Sequence, residues 1–241
     1  MEVFGYGFPN VLIKFCEKEE YAKDIADGNV YMKESGYYRK VDDKFRGDIF
    51  DGRCPIDVTG KTVTLGDIVL PMVSNAHMGF EHDDKIPMFC ATLLTEEILE
   101  RLDDKTFCFR PEFVQDMMQF GKYFVWVNLD EFFVKMKGFV ETNGFGAKCG
   151  RVEYVRIMSE YEEVYINNPE RDLLAPFFKK DKQYQQQNEW RMILMSNSNS
   201  NLINTFEDHY VMRLGKLESA SVQKTDLLKN SNIELKETEN P

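Results

Sequence analysis

The stretch YQQQNEWRMIL, Tyr184 to Leu194, sets Gln187, Glu189 and Arg191 at alternating positions inside an otherwise apolar run. A β-strand alternates faces, so Glu189, Arg191, Ile193 and Met195 would share one side and Trp190, Met192 and Leu194 the other. If the strand begins as early as Gln187, the pair Gln187-x-Glu189 shares the polar face. A carboxylate there can accept a hydrogen bond from a sugar hydroxyl and stabilise developing positive charge, and a glutamine amide can orient a nucleophile. Lys179, Lys180 and Lys182 crowd just ahead of Tyr184. The plainer reading is an internal pair of Glu189 with Arg191 or a lysine that braces the sheet. A buried ionised carboxylate is costly unless it is paired or used.

A second constellation is aromatic. GYYRK places Tyr37, Tyr38 and Arg39 together, with Tyr31 six residues before Tyr37. Tyr31 and Tyr37 fall on one face of a regular strand, unless Gly36 bends it. Aromatics beside an arginine make a platform for a flat ring and a clamp for a phosphate or carboxylate. An aromatic sheet surface with an ordinary ion pair would read the same way. His77 and His82, in HMGFEHDD, are five residues apart, a poor spacing for a shared helix face, and Asp83 and Asp84 would have to complete any metal shell. His209 stands alone. There is no GxSxG, HExxH, Walker loop or GxGxxG, and no metal is expected.

These residues need elements to hold them. VLIKFC (11–16) reads as a strand. KEEYAKDIADG reads as an amphipathic helix stopped at Gly28, and NVYMKESGYYR as a returning strand. The next loop carries two turns, RGD (46–48) and DGR (51–53), read as turns with paired charges. IDVTGKTVTLGDIVLPMV predicts a hairpin about Gly60-Lys61. IPMFCATLL is a strand buried on both faces. TEEILERLDD predicts a helix capped by Thr95. FRPEFVQDMMQFG predicts a helix with Pro111 near its start and a Phe113, Met117, Phe120 stripe. KYFVWVNL is a strand, DEFFVKMKGFV a helix capped by Asp130, and CGRVEYVRI a strand. DHYVMRLGKL is a last strand and SVQKTDLLKN a short helix. SNSNSN (196–201) reads as a loop. The whole predicts one α+β domain over 1–230, with split mixed or antiparallel sheets and short flanking helices. Residues 231–241 are expected to form a flexible tail, too poor in apolar residues to pack.

Composition sets outer bounds. The 241 residues are 43% hydrophobic, with 19 Phe and 11 Tyr, enough for a real core. The formal net charge is -11, the wrong sign for direct nucleic-acid binding. Cys16, Cys54, Cys90, Cys108 and Cys149 are scattered and form no CxxC, which points to free thiols in a reducing cytoplasm. MEVFGYGFPN lacks the basic start and apolar run of a signal peptide, and no stretch is long enough to span a membrane.

The opening LIKFCEKEEYAKDIADGNVYMKESGYYR and the late strand beginning Gln187-Asn188-Glu189 resemble ADP-ribosyltransferase-like proteins. FCATLL, VWVNLDEF, GRVEYVR and a lysine-rich loop before NEWRMIL are similar to bacterial and phage proteins distantly tied to that superfamily. The resemblance spans most of residues 10–195. It implies a split α+β fold holding NAD in a cleft between two small sheets, with Glu189 as the catalytic carboxylate and Tyr31, Tyr37 or Tyr38 stacked on nicotinamide. Arg39 and Gln187 would help to bind the nucleotide. Lys14 stands where the family often carries a His or Arg that holds ribose or phosphate, and an ammonium lacks bidentate geometry. Two functions follow as expectations. One is an ADP-ribosyltransferase or an enzyme cleaving the glycosidic bond of NAD or another nucleotide. The other is a non-catalytic acidic protein that binds a basic host or defence protein.

Overall fold

The computed structural model describes residues 10–41, 43, 45–56, 62–65, 67–70, 76–78, 84–156, 172, 174–196 and 208–234. Its centre is an eight-stranded sheet made of β1 (Val11–Cys16), β2 (Asn29–Glu34), β3 (Pro87–Leu93), β4 (Tyr123–Asn128), β5 (Phe145–Arg151), β6 (Glu189–Ser196), β7 (His209–Arg213) and β8 (Ser221–Lys224). The main path runs β5-β6-β3-β1-β4-β8, and β2, paired with β7, also joins β3. Every pairing in this sheet is antiparallel. Among the described residues four α-helices flank it: α1 (Glu19–Ala26), α2 (Ser35–Lys40), α3 (Pro111–Phe120) and α4 (Leu129–Asn143). The fold is α+β, as expected. None of the described helices is long and apolar enough to cross a membrane.

β3 is buried on both faces, which explains its unbroken apolar run. One face of the sheet (Leu12, Val125, Trp190 and Met192 among others) packs under Ala22 and Ile25 of α1 and Phe132 and Met136 of α4. The other face carries two separate clusters. Ile13 and Phe124 meet Phe113, Val114 and Met117 of α3, while Met88 and Ile193 meet Phe177 and Phe178. The gap between these two clusters is where the cleft lies.

Local chemistry sets the boundaries. α1 ends at Gly28, whose φ of +84° favours glycine. A Cβ there would lie 2.0 Å from the Gly215 carbonyl oxygen. The glycine is therefore required twice over, by the turn and by the segment after β7, whose Leu214 N–H bonds to Gly28 O at 2.8 Å. α3 has Pro111 at its first position, and Phe113 and Met117 are buried as the stripe predicts. α4 starts one residue before Asp130. Its cap is Asn128, whose Oδ1 accepts from Glu131 N at 2.9 Å.

Several elements differ from the sequence expectation. Thr95 does cap, accepting from Glu97 N, but Glu96–Ile98 is a single 3-10 turn. The chain then continues as a strand, Leu99–Arg101, paired with Thr106–Phe109. The strand expected across CGRVEYVRI breaks at Val152, whose N–H turns to Glu189 O at 2.8 Å, and Glu153–Val155 pairs in parallel with Lys179–Asp181. SVQK is β8, and only the following Thr225–Asn230 is helical, as a 3-10 turn. The expected tail is partly a strand: Asn232–Glu234 pairs with Thr106–Cys108, and the single apolar Ile233 packs on the α3 cluster. Val63–Leu65 pairs with Ile68–Leu70, while Gly60 and Lys61 lie outside the described residues, as do residues 197–201 of the serine-asparagine run.

Candidate functional site

β3 has one edge fully occupied and one divided. β6 pairs along Met88 to Thr92. On the other edge β1 pairs only with Leu93 and Thr92, and β2 only with Met88 and Pro87. β1 and β2 run in the same direction and diverge around α1, leaving Phe89–Ala91 between them with no strand partner on that edge among the described residues. Lys14 reaches into this fork and donates to the Cys90 carbonyl oxygen at 2.7 Å. A cleft of about 700 Å³ opens there. Ile13, Phe15 and Phe120 line it on the α3 side, and Tyr31, Tyr37 and Tyr38 on the other. Cys90, Glu189 and Arg191 form its base.

Arg191 and Glu189 do share one face of β6, with Trp190 on the opposite face edge-on to Phe132. Glu189 is locked between two cations. Arg191 Nε donates to Oε1 at 2.5 Å, and Lys180 Nζ donates to Oε2 at 3.0 Å. The same ammonium donates to Gln187 Oε1 at 2.8 Å, and the Gln187 amide donates to Phe45 O at 2.7 Å. Arg191 also holds Asp51 and donates to Phe177 O at 2.8 Å. Burial alone would raise the Glu189 pKa. The Arg191 guanidinium and Lys180 ammonium outweigh it and hold the carboxyl below the usual carboxylate range. Burial, reinforced by Glu189, pushes the Cys90 thiol up, so it stays protonated and donates to the carboxylate. Burial likewise raises the Tyr38 phenol. The two carboxylates, Glu189 and Asp51, face the two cations, Arg191 and Lys180, so the cluster is close to neutral.

Gln187 sits in this cluster for a reason other than strand alternation. It ends the 3-10 helix Lys182–Gln187, and β6 begins only at Glu189. Between them Asn188 turns left-handed, φ 43°, with its amide donating to Leu93 O and Thr95 Oγ1, both at 2.6 Å.

Of the predicted residues, Lys14, Tyr31, Tyr37, Tyr38, Gln187 and Glu189 all line the cleft. Tyr37 and Tyr38 reach it from α2, not from an extension of β2. Ser35 N–H bonds to Ile86 O at 2.9 Å as the chain leaves the strand. Tyr31 and Tyr37 are 44% and 38% exposed, unlike core aromatics. Arg39 does not line the cleft. Its side chain is 6% exposed and donates to the Asp84 carboxylate and the Asp51 carbonyl, bracing the loop behind the wall. His209 is not alone, for its ring stacks on Tyr31 at 4.8 Å.

Sequence reasoning missed Asp51, Arg46 and Phe45, which line the cleft from the RGD–DGR loop. The paired turns were the visible signal. It also did not single out Lys180 from the neighbouring Lys179 and Lys182. Asp84 is occupied by Arg39 and Arg53, His82 and Asp83 lie outside the described residues, and no metal-ligating group of three was found among the described residues.

One charge in the cleft stands apart. Five cations line it, Lys14, Lys33, Arg46, Lys180 and Arg191. Lys33 has Asp208 at 2.6 Å, Arg46 has Asp43 at 3.9 Å, and Lys180 and Arg191 have the carboxylates already named. Lys14 has no carboxylate partner among the described residues. One of its three donors is used by the Cys90 carbonyl, so the geometry can serve an incoming anion. No family model, no curated protein and no solved structure matches the chain.

Proposed function

We propose that the fork between β1 and β2 binds a nucleotide or NAD-like ligand. The anionic group of the ligand sits on Lys14, and its flat ring lies against the exposed tyrosines. The observation that carries this is the Lys14 ammonium, which has no carboxylate partner among the described residues, unlike the other four cleft cations, beside an aromatic wall. A buried or half-buried cation without a counter-ion is costly, and a ligand anion removes that cost. The resemblance to ADP-ribosyltransferase-like proteins implies a cleft between two small sheets, whereas this cleft opens at the divided edge of one eight-stranded sheet.

A second reading, cleavage of the N-glycosidic bond of such a ligand, is favoured by one observation: Glu189 lines the cleft and is held ionised. In that reaction the bond between ribose C1′ and the ring nitrogen breaks, the ring nitrogen takes the electron pair, and water or an acceptor adds to C1′. Glu189 would support the oxocarbenium-like ribose. Lys180 and Arg191 weaken this reading, because they occupy both carboxylate oxygens and cancel most of the charge. Binding is therefore the stronger proposal and catalysis the weaker.

The two are separated by titrating the protein with NAD and AMP by calorimetry, then incubating it with NAD and following free nicotinamide, with Glu189→Gln alongside. Saturable binding without release supports the cleft as a binding site alone. Release that disappears in Glu189→Gln supports catalysis. Neither binding nor release with either ligand rejects both readings and leaves the net charge of -11, and with it a basic protein partner, as the function to pursue.

A further inference from the structure

Residues 45–53 form a strap along one wall of the cleft and give it Phe45, Arg46 and Asp51. Side chains from distant parts of the chain tie it down. Gln187 donates to Phe45 O at 2.7 Å, the Tyr184 hydroxyl donates to Gly47 O at 2.8 Å, and Arg191 grips Asp51. The strap's own Asp48 N–H donates to Tyr38 O at 3.1 Å. At its middle the Asp48 side chain is buried, the residue being 4% exposed. Oδ1 accepts from Phe50 N at 2.9 Å, but Oδ2 has no hydrogen-bond partner among the described residues.

A buried carboxylate with one bare oxygen is poorly suited to carry charge. The charged groups that act on Asp48 come from each packed element. Asp51, on the strap itself, opposes its ionisation. Lys180 from the Lys179–Asp181 strand and Arg191 from β6 favour it, and Tyr184 faces it from the 3-10 helix. Both cations are already committed to Glu189 and Asp51, so neither forms an ion pair with Asp48.

We propose that Asp48 is a proton-operated latch. In its neutral form it seats the strap against the Glu189–Arg191 cluster, and in its ionised form it loosens the strap from the cleft wall. Desolvation, with Asp51 adding to it, lifts its pKa from 3.8 to about 6. A carboxyl raised in the folded state contributes stability that is fully present below the unfolded value and is lost as pH rises through the folded one. The strap is therefore tighter at pH 5 than at pH 8. That difference in pKa corresponds to a change of about a hundredfold in the equilibrium between seated and loosened strap from below pH 3.8 to above pH 6, of which about tenfold falls between pH 5 and pH 8. The latch acts on the strap whatever the cleft binds.

Hydrogen exchange of peptides covering residues 45–53, read by mass spectrometry across pH 5 to 8 and corrected for intrinsic exchange, tests this. The expected result is strap protection that falls by about tenfold from pH 5 to pH 8 in the wild type. In Asp48→Asn it should stay flat. Equal pH dependence in both proteins, or none in the wild type, overturns the latch. Should the variant fail to fold, the ¹³C shift of the Asp48 carboxyl in the wild type decides alone. A midpoint near 6 supports the proposal, and one near 4 overturns it.

Discussion

Arg191 and Asp51 stand 140 positions apart in the chain and meet in a two-point ion pair. Nη1 donates to Oδ1 at 2.7 Å and Nη2 to Oδ2 at 2.9 Å, with both side chains 1% exposed. The guanidinium has five donors, and here it serves Asp51, Glu189 and the Phe177 carbonyl together. It thus fastens the 45–53 strap and the 3-10 turn Ala175–Phe178 to the sheet. Removing it would leave two buried carboxylates facing Lys180 alone. Arg191→Met is expected to lower stability by about 3–5 kcal/mol in urea unfolding at pH 7. Arg191→Lys should recover only a small part, because an ammonium cannot fork between two carboxylates. A loss under about 1 kcal/mol, the scale of an exposed pair, would show that the clamp does not hold the fold.

The contact between Gly28 and Gly215 predicts a local result of a different kind. Gly28 combines a φ of +84° with a carbonyl oxygen 2.0 Å from the place a Cβ would occupy. Gly144 has a similar φ, +67°, but nothing within 4 Å of that place. Gly144→Ala should therefore cost only the left-handed conformation, about 1 kcal/mol. Gly28→Ala must also move the backbone between β7 and β8, and about 2–4 kcal/mol is expected. Thermal and urea unfolding of both variants measures the difference. Equal losses would mean that the close approach contributes nothing.

The parts of the site that were legible in the sequence are those whose signal is local. The two faces of β6 follow from period-two alternation, so Glu189 and Arg191 were placed together and Trp190 opposite. The continuous apolar run of β3 announced a strand buried on both sides, and Gly28 announced the end of α1. SGYYRK was misread because consecutive tyrosines after a strand favour its continuation. The α2 turn is instead fixed by tertiary contacts, Ser35 with Ile86 and Tyr38 with the Phe177 cluster. Asp51 could not be found from its neighbourhood, since its partner is 140 residues away. Lys180 differs from Lys179 in which way a three-residue strand points it, and Lys182 already belongs to the following 3-10 helix. The division of the β3 edge depends on two strands ending their pairing at different places, and no single segment encodes that.

Glu189 makes a pH prediction with a definite sign. Its carboxyl is held below the value of about 4.5 it would have unfolded, so its contribution is fully present above 4.5 and is lost as pH falls below it. Wild-type stability should therefore decline on the acid side of pH 4.5. In Glu189→Gln that decline should shrink, at a cost near neutrality of about 3 kcal/mol from leaving Lys180 and Arg191 underpaired. Urea midpoints from pH 3 to 7 read both effects. An acid limb identical in the two proteins would mean that Lys180 and Arg191 do not depress this carboxyl.

Lys14 separates ligand binding from folding. Among the described residues its ammonium donates to the Cys90 carbonyl and lies over the face of the Phe89 ring, at 5.3 Å, so Lys14→Met keeps the stem and gives up little internal pairing. Stability should change by no more than about 1 kcal/mol. Affinity for AMP, however, should fall by about ten- to a hundredfold, the scale of one charge-assisted hydrogen bond. Lys33→Met is the matched control, because that ammonium is already committed to Asp208 at 2.6 Å and should matter less to an incoming anion. Calorimetric titration of the three proteins at two salt concentrations decides between them. Loss confined to Lys14→Met, together with weaker wild-type binding at high salt, is the expected pattern. Equal affinity in wild type and Lys14→Met would remove Lys14 as the anion's partner and with it the observation on which the binding proposal rests.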